Sequence, residues 1–314
     1  MTQHSVLRRL CDSATPSVFT SVLTSVLSSV SPGHREGLAR STNDLCIRDS
    51  ILPMMTEFAA SALPVAWVFA DPLRFEAPPY QRAFCWSVKE GSRLLDDMLA
   101  AHDGSDGVGG EDEPDYFIGA ILTVDRAPRE PGAPGWPWRG APRRFDIVDG
   151  QQRLATLTIL LAVIRDLLAQ SRPGMAARIA AHIRFDAAPG ALAERVRLRG
   201  PDGDYLARTV QRPGACQDAP EAEADTDSEQ CILDLREHFL AELGDREAAS
   251  LEAFAQFVLE RCTMVVIVTR NIDRAHRMFT VLNDTGKPLA RNDILKAELL
   301  GQIAPEFAAR TLAA

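Results

Sequence analysis

The chain has 314 residues, 46% of them hydrophobic and 25% charged, with a formal net charge of −9. That length carries one large domain or two ordinary ones with a sizeable core, and that balance is the balance of soluble globular proteins. It argues against a membrane-spanning helix, since no apolar run reaches about 18 residues, and against a stand-alone duplex binder, since no basic stripe is visible to neutralise phosphates.

Residues 1–50 are Ser/Thr-rich and lack a basic region followed by a compact apolar core, so they are expected to be a poorly ordered extension and not a signal peptide. An organised domain is expected over residues 51–304, with a tail over 305–314. "LPMMTEFAASAL" (52–63) predicts a short helix. "VAWVFADPLRFEAPPYQRAFCW" (65–86) mixes apolar residues with prolines and predicts extended chain. "SRLLDDMLAAHD" then predicts a helix capped by Ser92, with Leu94, Leu95, Met98 and Leu99 on one face.

"YFIGAILTV" (Tyr116–Val124) reads as a strand in which Gly119 permits close backbone approach. A Pro/Gly-rich loop over 127–142, carrying Trp136 and Trp138, joins it to a second strand, Phe145–Val148, as an expanded hairpin. A long apolar helix follows from Arg153 to Gln170. "AHIRF" (181–185) and "RVRLR" (195–199) predict short strands. An acidic loop is expected near 213–230, and its part from Asp218 to Gln230 holds six acids and no Lys or Arg, leaving −3 of the −9 for the rest of the chain. Helices over 229–243 and 251–262 and a buried strand over 263–269 come next, and two helices near Met278 and Asn292 close the domain. The expected class is α+β.

The six cysteines form no CxxC pair and the histidines no HExxH or HxH, so reduced thiols in a cytoplasmic setting and no zinc site are expected. Chemistry concentrates in three clusters. In "DIVDGQQRLATL", Asp149 is placed to cap the helix, and Arg153 puts a cation in a first turn that already faces the positive end of the helix dipole. Arg153 pairs either with Asp149 four residues earlier or with an outside anion met by free backbone N–H groups, Gly150 and the amides of Gln151 and Gln152. In "PPYQRAFCW", Tyr80, Gln81 and Arg82 either lie on an edge facing water or line a pocket with an aromatic wall. In "RMFTVLNDTGKPLARNDILK", Met278, Phe279 and Leu282 are core, while Asn283, Lys287, Asp293 and Lys296 are left as polar residues for a cleft.

Taken in order, "YQR…W", "YFIGAI", "DIVDGQQRLATL" and "F…LNDTGKPL…DILK" resemble the DGQQR-domain family, the N-terminal half of GmrSD-type restriction enzymes and related phage-defence proteins. The resemblance runs over roughly residues 56–303 and implies a ParB/sulfiredoxin-like small mixed sheet with the DGQQR loop at a helix start, plus a helical subdomain. It implies binding and hydrolysis of a nucleoside triphosphate with Mg²⁺, regulating cleavage of modified or foreign DNA. By that resemblance Asp149, Gln151, Gln152 and Arg153 are catalytic, and Asp149 holds the metal. Tyr80, Gln81, Arg82, Gly150, Arg153, Asn283 and Lys287 bind nucleotide. "AFCW" departs from the family's proline-containing ending. No His-Asn-His nuclease spacing occurs, so DNA cleavage is expected from a partner nuclease subunit. A non-hydrolysing nucleotide or modified-DNA sensor, and an inactive truncated remnant, are the alternatives.

Overall fold

The computed structural model describes residues 58–104, 116–126, 143–188, 191–218 and 224–273, together with Ala275 and Phe279. All belong to one compact unit, Thr56–Ala314. Trp136, Trp138, Met278, Leu282, Asn283, Lys287, Asp293 and Lys296 lie outside the described residues, as do the expected extension and the second C-terminal helix.

The class is α+β. Strand β1 (Phe58–Pro64) leads through one helical turn, α1 (Val65–Val68), into β2 (Leu73–Glu76), helix α2 (Val88–Gly104), β3 (Tyr116–Asp125), β4 (Arg143–Asp149) and the central helix α3 (Gln151–Leu168). Helix α4 (Pro173–Ile183), a β5–β6 hairpin (Arg184–Ala188, Ala191–Glu194), β7 (Val196–Arg197) and α5 (Gly200–Leu206) follow. One π-helical turn (Ala207–Gln211), α6 (Asp227–Leu243), α7 (Ala248–Glu260) and β8 (Cys262–Thr269) complete the described elements. The main sheet is six-stranded and mixed, in the order β1-β8-β3-β4-β2-β7. β3 pairs parallel with β8 and antiparallel with β4, while β2 runs parallel to both β4 and β7.

Alternation along the strands divides two apolar layers. Phe75, Ile121, Phe145, Ile147, Met264, Val266 and Val268 face the helices and join α3 in the larger core. Ala120, Leu122, Val124, Val148, Val265 and Ile267 face the opposite side, where Ala275 and Phe279 pack. Helix α3 is buried all round: Leu154, Leu157, Leu160, Leu161 and Ile164 have no exposed surface. Each such side chain contributes about 1.5–3 kcal/mol by leaving water, so α3 is the post around which the domain is built. Near its C-terminal end the Arg165–Asp166 pair is also buried, 3% and 2% exposed. Arg165 donates to the carbonyls of Val210, Gln211 and Arg212, and Asp166 accepts from the N–H groups of Gly214 and Cys216. One ion pair thereby satisfies the backbone of the irregular segment after α5.

Several local expectations are corrected. The alanine-rich stretch read as a helix is strand β1 from Phe58 on, because its whole length finds a ladder against β8, from Phe58 opposite Thr269 to Pro64 opposite Thr263. Within the extended segment Val65–Val68 form a helical turn that buries both valines. Helix α2 begins before Ser92. Ser87 Oγ accepts from Lys89 N at 3.2 Å, and Glu90 accepts from Ser87 N at 2.9 Å, which is a capping box. Residues 181–183 end helix α4, and only Arg184 onward is strand. The acidic stretch contributes the start of α6, where Thr226 caps Glu229 N at 3.2 Å. Among the described residues no helix is long and apolar enough to cross a membrane.

Candidate functional site

β4 ends at Asp149 and α3 starts at Gln151, so the whole reversal falls on Gly150. Its backbone is left-handed, with φ 95° and ψ 5°, a region where a side chain costs about 1–2 kcal/mol. A Cβ there would also stand 2.9 Å from Ile121 Cβ and 3.1 Å from Ile121 Cα. The glycine is therefore demanded by the fold before any ligand is considered. It also takes over the cap position, and no side chain caps the helix, so Asp149 is not the expected cap. The left-handed step leaves Asp149 in the strand, opposite Leu122.

Leu154 N closes the first helical bond onto Gly150 O at 3.0 Å. The N–H groups of Gln151, Gln152 and Arg153 precede that bond and point out of the helix start. No acidic residue lies in this first turn. Arg153 does not pair with Asp149. Its guanidinium lies back along β3, where Nη1 donates to Ala120 O at 3.1 Å. Gly119, with φ 132°, is the position that admits it, since a Cβ there would stand 3.1 Å from Arg153 Nε. The close approach read from Gly119 is thus the approach of a cation. Among the described residues Asp149 forms no ion pair.

The three glutamines share a different task. Gln81 Nε2 donates to Ile147 O at 3.0 Å and Val148 O at 2.7 Å, tying its segment to the end of β4. Gln151 Nε2 donates to Arg82 O at 3.0 Å. Gln152 Oε1 accepts from Cys85 N at 2.9 Å and Trp86 N at 3.1 Å, and its Nε2 donates to Ala83 O at 3.3 Å. Gln151 and Gln152 are only 4% and 8% exposed. Gln151 Oε1 is buried with no partner among the described residues. Its orientation is fixed, because an oxygen turned toward Arg82 O would be repelled. The role of these carboxamides as backbone clamps escaped the sequence reading. The only hint was the presence of two amides on a helix that is otherwise buried on all sides, where a polar group must find a partner.

The clamps bring the first two clusters together around a cavity of about 590 Å³. Val148 to Arg153 form one wall; Tyr80, Gln81, Arg82 and Trp86 form the facing wall; Phe279 closes a third side. Tyr80 is half-exposed at the rim, and burial together with the Asp146 carboxylate holds its phenol above the ordinary value, so it stays neutral. Arg82 is exposed, and its guanidinium makes no hydrogen bond or ion pair among the described residues. The third cluster contributes Phe279 alone within the described residues. Among these residues no group of three or more His, Cys, Asp or Glu is gathered for a metal ion.

Comparison with known proteins bears on this arrangement. The model of one family, the GmrSD restriction endonuclease N-terminal domain, matches residues 66–300. No curated protein matches the chain.

Proposed function

The chain belongs to the GmrSD restriction endonuclease N-terminal domain family, a family of restriction and phage-defence systems, and from that premise we propose that this domain binds and hydrolyses a nucleoside triphosphate in the cavity between the Tyr80 and DGQQR segments. The observation that carries the reading is the start of α3: a helix N-terminus without a side-chain cap, with a cation in place of an acid in its first turn, opening onto a cavity of about 590 Å³. Outward N–H groups and the helix dipole favour an anion there. Arg153, held on β3, supplies the fixed positive charge that phosphoryl transfer asks of a protein. Tyr80, Trp86 and Phe279 offer aromatic surface for a base.

A magnesium ion is compatible with the donors present. Asp149 is a carboxylate on the cavity wall, and one carboxylate suffices where phosphate oxygens and water complete the shell. Such an ion would neutralise charge on the phosphates. Without the ion, Asp149 would be the carboxylate that orients water on the described wall. Turnover would license cleavage of modified or foreign DNA by a nuclease partner.

Phosphate release from purified protein, with each nucleoside triphosphate and Mg²⁺, tests the reading. Arg153→Ala is expected to lower release about 10²-fold or more, as loss of one preorganised charge does. Unchanged release in that variant overturns the site. Binding without release supports a sensor instead, a reading favoured by one observation: Gln151 and Gln152 are turned onto backbone and do not offer a side chain to orient water.

A further inference from the structure

Two guanidinium groups border the cavity from opposite walls, and they are held in different ways. Arg153 is fixed by its own side chain, which lies on the β3 backbone. Arg82 sits on a segment without regular secondary structure, and its side chain is tied to nothing among the described residues. What is tied is its backbone and that of its neighbours. Gln151 grips the carbonyl of Arg82 itself; Gln152 grips Ala83, Cys85 and Trp86; Gln81 anchors the preceding residue to β4.

The DGQQR carboxamides are engaged in another way, on backbone. Gln151 Oε1 is buried without a partner among the described residues, and its Nε2 is engaged by Arg82 O. Both ends of Gln152 are engaged with backbone. An amide spent on the backbone of an exposed arginine influences a bound anion by setting where that arginine stands.

We infer that Gln151 and Gln152 are positioning residues which present Arg82 as the second anion-gripping cation of the cavity, facing Arg153. This rests on the anion-site reading of the helix start and assigns the tasks within it. Arg82 touches the phosphate chain of the ligand, whereas Gln151 acts on affinity only by setting where the Arg82 backbone stands. An unclamped arginine on an irregular segment would have to be ordered at each binding event, and a clamped one is ordered in advance.

The test uses the full chain and inorganic tripolyphosphate, an anion without a base, by titration calorimetry. Arg82→Ala is expected to weaken binding about 10-fold to 100-fold, the range for a hydrogen bond to a charged group, and to flatten its salt dependence. Gln151→Met is expected to weaken it several-fold in the wild-type background and to have no further effect in the Arg82→Ala background. If the losses from Gln151→Met and Arg82→Ala instead multiply, Gln151 acts independently and the inference is overturned. Should the glutamine variants fail to fold, the wild-type chain still decides the role of Arg82. Phenylglyoxal labelling of Arg82, read by mass spectrometry, must be suppressed by tripolyphosphate, and equal labelling with and without the anion overturns the proposal. A wild-type chain that binds neither tripolyphosphate nor nucleotide overturns this proposal and the nucleotide reading together. Nucleotide bound without phosphate release overturns turnover alone, and the cycle still decides the clamp.

Discussion

Replacing Gly150 with alanine isolates why the DGQQR turn contains a glycine at all. The substitution forces an L-residue to φ 95°, which costs about 1–2 kcal/mol from backbone sterics. It also drives a methyl group to 2.9 Å from Ile121 Cβ and 3.1 Å from Ile121 Cα. Ile121 is 0% exposed in β3 and paired with Val266 of β8, next to the point where β4 pairs at Leu122, so it cannot yield without moving the sheet. Overpacking at such a place costs about 1–3 kcal/mol. Together the loss is about 2–5 kcal/mol, a large part of the roughly 5–15 kcal/mol that holds a domain. Urea unfolding followed by circular dichroism, without ligand and with an unchanged slope, measures it. Gly174→Ala is the control: that glycine has nothing within 4 Å of a Cβ and no positive φ. The same substitution there is expected to leave stability unchanged or raise it by up to about 1 kcal/mol. A loss below about 1 kcal/mol at Gly150 refutes the steric account and returns the glycine to a role in ligand approach.

Other outcomes follow from neighbouring contacts. Gly119→Ala brings a methyl to 3.1 Å from Arg153 Nε at φ 132°; it is expected to displace Arg153 from Ala120 O and reduce tripolyphosphate affinity along with thermal stability, and full affinity would show that the perch on β3 is dispensable. Arg165→Leu strands the Asp166 carboxylate, whose side chain is 2% exposed, and is expected to cost about 3–5 kcal/mol in denaturant unfolding; a cost under about 1 kcal/mol would deny the pair its role in holding residues 207–216. Burial holds His182 below its ordinary 6.5, with its ring beside Phe69 O at 3.1 Å. As pH falls the unfolded chain takes up that proton first, so the contribution is complete above pH 6.5 and is lost as pH drops from 6.5 through the depressed value. His182→Gln should therefore lose less stability than wild type between about pH 7 and about pH 5, and parallel stability curves would contradict the assignment.

Much of the architecture was legible locally. A run of β-branched residues gave β8, the apolar run gave α3, and glycine followed by a cation at a helix start raised an anion as one of two partners for Arg153. These signals lie within a few residues of the feature they specify, so the chain alone carries them. β1 was misread because alanine favours helix, a preference that the ladder to a partner strand some 200 residues away, from Thr263 to Thr269, overrides. The helix near Ser92 was recognised and residues 181–183 were read as strand, because the ends of these elements are set by capping bonds and sheet contacts that no short window contains.

For the site, the sequence by itself determined the inventory: Tyr80, Gln81, Arg82 and the Asp149–Arg153 turn, in an order that resembles one family. Only the tertiary structure decided which of those groups remain available. The bonds from Gln151 to Arg82 and from Gln152 to Ala83, Cys85 and Trp86 span 66 to 69 residues. The juxtaposition that permits them comes from β2 and β4 lying side by side, from Leu73 opposite Arg143 to Glu76 opposite Asp146. Register across a sheet places residues distant in sequence within hydrogen-bond reach, and burial then obliges each amide to find a partner. That is why two glutamines that read as ligand groups in the sequence are fastened in the fold to the backbone of the facing segment, while Arg82 carries no such tie among the described residues.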